Sequence, residues 1–306
     1  MNTTRFLNLD CVQIKNDALE LLITQSVGPR IIRLSFTGDE NILAELPDLA
    51  IDCPGQSEKM HFFGGHRLWH APQVPERTHM PDNQPVSITE IDGGLEVTQA
   101  TEAATGLQKT MRIILPDDSA TVVVDHILTN NGIGPVETAP WAITQLKPGG
   151  TAILPQNTEN IDPAGVWPNR SLAFWPFTDI TSPNIHWGNR YLMVDTNMQE
   201  GMMKFAFPNP NGWLGYHHKQ TLFVKHSPFQ AQADYFDQNC SSHFFCQPEF
   251  LELETLGPRT MLNSGQFVSH QEVWSLHSPV SFDGTEDIAD EIAQMYILEI
   301  NNEAKK

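Results

Sequence analysis

The run Phe62-Phe63-Gly64-Gly65-His66-Arg67-Leu68-Trp69-His70-Ala71-Pro72 holds two imidazoles, a guanidinium and an indole within five residues. The two glycines allow the backbone to pass close to a neighbour or a ligand. On a strand, His66, Leu68 and His70 share one face and Arg67 and Trp69 the other. A saccharide site needs this mixture. An aromatic plate covers the apolar face of a pyranose, and charged donors meet its hydroxyls.

A second run, Phe250-Leu251-Glu252-Leu253-Glu254-Thr255-Leu256-Gly257-Pro258, places Glu252 and Glu254 on one side of a strand and Leu251 and Leu253 on the other. Two carboxylates on one face repel, which raises one pKa and makes a general acid or base. Strands rarely choose Glu, so the doublet needs a reason.

Other chemistries find less support. His66 and His70 have the spacing of a helical zinc pair, but no HExxH surrounds them and Pro72 follows, so no metal and no cofactor are expected. GxGxxG, the P-loop and Gly-x-Ser-x-Gly are absent. Cys11, Cys53, Cys240 and Cys246 form no CxxC and read as reduced, buried thiols.

The elements that would position these groups are short, alternating segments. Leu19–Val27 and Arg30–Phe36 read as strands broken by Gly28-Pro29, and Gly94–Thr101 with Gly106–Leu115 as a hairpin, followed by a turn at Pro116-Asp117-Asp118. Thr121–Thr129, Pro140–Leu146, Tyr191–Val194, Met203–Phe207, Trp213–His217, Thr221–His226, Phe250–Thr255 and Phe267–Leu276 follow. Twenty-two Pro and twenty Gly punctuate them, which argues for an all-β antiparallel sandwich rather than βαβ units. One helix is expected near the end, from Ile288, Ile292 and Met295 after Thr285, continuing loosely through Leu298 to a frayed tail, Asn301 to Lys306. The Pro-rich stretch from Val74 to Pro85 reads as an ordered loop over a site, not a linker. The reading is therefore one domain, residues 1–306.

The 306 residues carry a formal charge of -19, with eighteen Lys and Arg scattered singly among thirty-seven acids. That balance argues against nucleic acid and anionic membranes as partners. The start lacks the apolar run of a secretory signal, and no segment has the roughly twenty apolar residues of a membrane helix. A cytoplasmic monomer or homodimer is expected.

In order, these segments resemble the galactose-mutarotase-like superfamily, the aldose 1-epimerases and their relatives. The resemblance runs over roughly residues 10 to 280. Thr121-Val-Val-Val-Asp125-His126-Ile-Leu-Thr-Asn130-Asn131-Gly132 is similar to that superfamily's strand ending in Asn and Gly, and His270-Gln271-Glu272-Val273-Trp274 to its last core strand. Leu253-Glu254-Thr255 resembles the epimerase strand that carries a catalytic Glu before Thr. The resemblance is closer to an uncharacterised branch, marked by the Gly64–Pro72 string, by Ala139-Pro140-Trp141-Ala142-Ile143-Thr144 and by Phe250–Pro258. The resemblance implies a large β-supersandwich with few short helices, and a small sugar as substrate.

One departure is plain: where epimerases carry a catalytic His, this chain reads Thr144-Gln145-Leu146-Lys147. The expected reading is an epimerase-like enzyme in which Glu254, with Glu252 as rival, takes the anomeric proton. A His of the glycine-led string, His66 or His70, protonates the ring oxygen, with His226 and Lys225 as further candidates. Arg67, Trp69 and Trp141 bind the sugar, with Lys225 and His226 beside them. A lyase or hydrolase on the same scaffold and a non-catalytic sugar-binding module are the alternatives.

Overall fold

The computed structural model describes residues 1–117 and 119–297. Alternation makes strands of 48% of the chain, and helices take 7%. Asp118 of the expected turn, Leu298 and the tail Asn301 to Lys306 lie outside the described residues.

Two large antiparallel sheets enclose the main core. The first runs Asn2–Phe6, Leu9–Lys15, Leu19–Thr24, Arg30–Phe36, His66–Ala71, Val136–Leu146, Phe250–Leu256, Ser242–Gln247, Met203–Phe207, Ala173–Phe174, and Thr260–Leu262 pairs with the start of Val136–Leu146. The second runs Ile185–Trp187, Tyr191–Asp195, Thr151–Pro155, Trp213–His218, Thr221–His226, Phe267–His277, Thr121–Asn130, Leu107–Ile114, Gly94–Thr98, Ser87–Ile91. A separate two-stranded ribbon, Glu45–Ile51 with Met60–Gly64, leads into His66–Ala71. Leu21, Ile23, Leu34, Phe205, Phe244 and Leu253 of the first sheet meet Val97, Met111, Val122, Phe223 and Trp274 of the second.

The expected hairpin forms between Gly94–Thr98 and Leu107–Ile114, and Gly28-Pro29 lies between the strands Leu19–Thr24 and Arg30–Phe36. Ser242–Gln247 was not anticipated, because SHFFCQ lacks polar alternation. Most of its residues are buried, as in strands covered on both faces.

The glycine pair answers to a neighbour rather than a ligand. A Cβ on Gly64 would sit 1.9 Å from the Ala44 carbonyl oxygen, and one on Gly65 2.2 Å from that of Ile31. Phe63, Gly64 and Gly65 all take positive φ, which turns the ribbon sharply into the strand that follows.

Thr285 caps the last helix, Glu286–Ile292, by accepting from the Ile288 N–H. A wider π turn, Ala293–Ile297, then shifts the register, so Met295 is exposed and Ile297 buried. Ala289 and Ile292 pack on Ile153, Leu222 and Val224, covering the outer face of the second sheet.

Candidate functional site

Strand parity decides where each side chain of the His66–Ala71 strand goes. His66 faces the second sheet. Its Nε2 lies 2.7 Å from Nε2 of His126, on Thr121–Asn130. His70 has the same parity, is fully buried, and bonds the Arg77 carbonyl at 3.1 Å. Glu254 points to the opposite face of the first sheet, where Trp141 Nε1 donates to its Oε2 at 2.7 Å and Lys204 Nζ to both oxygens at 2.9 and 3.0 Å. The expectation that His66 or His70 meets Glu254 therefore fails: a β-sheet stands between them.

The groups on the Glu254 face do converge. A cavity of about 260 Å³ is walled by Phe62, Trp69, Trp141, Trp175, Phe177, Phe245 and Phe250, with Leu49 and Ile51 at the ribbon end. Its polar groups are Glu252, Lys204, His79, Gln73 and Gln247. Trp69 and Trp141 are cross-strand partners and meet edge to face at 5.4 Å. Of the residues expected at a site, Trp69, Trp141 and Glu252 line this cavity. Glu254 lies just below it, and Arg67 is buried behind the rings of Phe62 and Trp69, 5.0 and 5.4 Å from their centroids.

Lys204 is the floor's cation. Besides Glu254, its ammonium sits 4.8 Å over Trp141 and 5.1 Å over Trp175. Burial opposes a charge on Glu254, but the Lys204 ammonium and then His243 override it and hold this carboxyl well below the usual range. Glu252 receives one donor, Gln145 Nε2 at 2.8 Å. Burial first, and then the negative charge of Glu254, push Glu252 up to about 8. The pair thus splits into one protonated and one ionised carboxyl at neutral pH.

His79 comes from the loop over the site. Its ring packs 5.2 Å from Trp69 and its Nε2 lies 3.1 Å from Gln73 Nε2. Burial and then the charge of Arg67 lower its pKa. The loop is tied down by Asp82, whose carboxylate accepts both 2.6 and 2.7 Å bonds from Nη2 of the buried Arg30.

Lys225 and His226 do not reach this cavity. Lys225 Nζ crosses the core to donate to the Leu253 and Ala142 carbonyls and Thr144 Oγ1, and pairs with Glu272 at 2.8 Å. His226, next in sequence, lies on the other face of the second sheet, and burial lowers its pKa.

Around Lys225 runs a continuous hydrogen-bond chain. His126 Nδ1 donates to the His270 carbonyl, so its Nε2 accepts from His66, whose Nδ1 accepts from Thr144. Among the described residues, His66, His126 and Glu272 form the one group close enough to hold a metal ion. They fit one poorly, since Glu272 already carries Lys225 and also accepts from Thr255 and Trp274. A second cavity, of about 230 Å³, has its lysines Lys147 and Lys219 paired with Glu45 and Glu40.

Lys204, Trp175, Phe177 and His79 were missed in sequence. Lys204 sits in a buried strand, MKFAF, with no partner nearby in the chain, and only the sheet order brings it to Glu254. His79 was within the loop read as covering a site, which was the available signal.

No protein-family model matches the chain, and no curated protein matches it in sequence. Solved structures do. A galactose mutarotase-like protein from Clostridium acetobutylicum has a TM-score of 0.56 at 10% identity, over 90% of this chain and 98% of the other. A galactose mutarotase-like protein from Lactobacillus casei ATCC 334 gives 0.53 at 11%, over 87% and 100%. The Slr1438 protein from Synechocystis sp. PCC 6803 gives 0.57 at 11%, over 91% and 100%. At these identities the likeness shows a galactose-mutarotase-like fold and nothing narrower.

Proposed function

We propose that the aromatic cavity binds a free aldose and interconverts its anomers. Glu252 gives its proton to the ring oxygen while His79 takes the proton of the anomeric hydroxyl. The C1–O5 bond breaks, the open-chain aldehyde turns about C1–C2, and closure runs the same transfers in reverse. Each group needs hydrogen-bond reach of its proton and a pKa suited to its task.

The observation that carries this reading is the split carboxylate pair under an aromatic lining. Glu252 is held protonated and opens to the cavity, Glu254 is charged and engaged below it. Two titrating groups with opposed environments mark acid and base roles. The volume is near the lower end of small-molecule pockets, about 300–1,000 Å³, which suits one ring better than a chain. The names of the structural neighbours point the same way, as fold-level analogy.

Polarimetry on a panel of freshly dissolved aldoses tests it. Wild-type protein accelerates mutarotation of at least one sugar, and Glu252→Gln removes the acceleration. Equal rates for the two proteins would refute the mechanism. Binding with no acceleration would make the cavity a sugar-binding site only.

A further inference from the structure

Below the cavity floor, His243 is fully buried and both its nitrogens look at carboxylates. Nδ1 lies 3.4 Å from Glu254 Oε2, and Nε2 lies 3.7 Å from Asp237 Oδ2. At these separations neither nitrogen completes a hydrogen bond, and among the described residues neither has another partner. Trp141 and Trp175 pack on the ring at 5.9 and 5.6 Å between centroids, so it has no room to turn to another acceptor. An ionised carboxylate only accepts, so a nitrogen that faces one needs a proton. A neutral imidazole has one proton to offer, so engaging both acids at once takes a ring with two.

Asp237 is brought there by an unusual piece of backbone. Asp237, Gln238 and Asn239 take φ of 52, 63 and 68° in succession. L-residues avoid this region, and three in a row persist only where the surroundings hold them. The Tyr235 N–H donates to Asn239 Oδ1 and the Cys240 N–H to the Phe236 carbonyl, closing the turn. Strain of this kind gathers at working sites.

We propose that His243 is a positioning residue which, with Asp237 behind it, places a second positive charge on Glu254 and so sets the pH at which Glu252 holds its proton. The groups facing His243 are Glu254 from its neighbour strand, Asp237 from the turn, and Lys204 through Glu254. Those acting on Glu252 are Glu254, Lys204, Arg67 and Gln145. With His243 charged, Glu254 is shared between two cations and repels a proton-free Glu252 less. Without that charge, Glu252 keeps its proton to higher pH. The functional meaning rests on the proposed role of Glu252, but the titration below needs no turnover.

The test is a carbon-13 NMR titration of glutamate-labelled full-length protein, with the Glu252 carboxyl assigned by Glu252→Gln. Both His243→Asn and Asp237→Asn raise the Glu252 midpoint by about half a pH unit or more, and Glu254→Gln lowers it, as expected for one charge gained or lost nearby. If His243→Asn fails to fold, the partly exposed Asp237→Asn carries the test. A Glu252 midpoint unchanged in folded Asp237→Asn and His243→Asn overturns the proposal. A moved midpoint with no mutarotation of any aldose upholds it while removing the epimerase reading.

Discussion

Glu252 and Glu254 leave the same face of the strand Phe250–Leu256, yet only Glu254 is bonded to an ammonium. Lys204 reaches it at 2.9 Å from Met203–Phe207, two strands away, while Glu252 holds a single amide donor. Their difference in charge follows from that asymmetry, and the account of the site depends on it.

The activity should show a bell-shaped pH dependence. Glu252 must be protonated to act as acid, so kcat/KM falls as pH rises through about 8. His79 must be unprotonated to act as base. Its lowered pKa keeps it so until pH drops below the ordinary imidazole range. Polarimetric rates of the wild-type protein across pH check this: a rate that does not fall as pH rises through about 8 would contradict the acid role of Glu252, and His79→Gln should lose the catalysed rate at every pH.

Removing one partner of the buried Lys204–Glu254 pair leaves the other charge uncompensated. Lys204→Met or Glu254→Gln should each cost about 3–5 kcal/mol in urea unfolding. Losses below about 1 kcal/mol would mean that water reaches the floor far more freely than this burial implies.

Phe177 is a wall residue that is 45% exposed, so its loss should not disturb the core. A stacking ring contributes about 0.5–1.5 kcal/mol, so Phe177→Ala should weaken sugar binding about two- to tenfold with an unchanged melting temperature. Calorimetric titration and a thermal melt on the same sample measure both.

Acid should unfold the protein through its buried imidazoles. Burial takes His126 and His270 down to about 3, His70 to about 4, and His66 well below its ordinary value. Their folded pKa values are lower than the unfolded ones, so the unfolded chain binds more protons between about pH 6.5 and 4. Stability is therefore complete above pH 6.5 and is lost as pH falls, by about 1.4 kcal/mol per unit for each imidazole. His126→Asn should flatten the slope of unfolding free energy against pH in that window. An unchanged slope would contradict the neutral network.

Much of the fold could be read from local pattern, because alternation and Gly/Pro breaks are local. The hairpin at Gly94–Ile114 and the Thr285 cap are examples. Trp69, Trp141 and the acidic doublet were also legible, since two-residue spacing fixes their face once a strand is granted. What could not be read was which face of one sheet meets which face of the other. His66 looked like a catalytic partner of Glu254 because both are chemically apt, but the sheet separates them, and His66 pairs instead with His126, 60 residues on. Lys204 reaches Glu254 only through strand order, which no spacing along the chain encodes, whereas His243 faces Glu254 across the hairpin of Ser242–Gln247 with Phe250–Leu256 and went unread because that first strand was not anticipated.

The most direct test of the central claim is a crystal structure of the protein soaked with the aldose that it binds most tightly. The account predicts one pyranose ring between Trp69, Trp141 and Phe177, its ring oxygen or anomeric hydroxyl within hydrogen-bond reach of Glu252. A sugar bound elsewhere, or a ring held here with Glu252 turned away from it, would contradict the account.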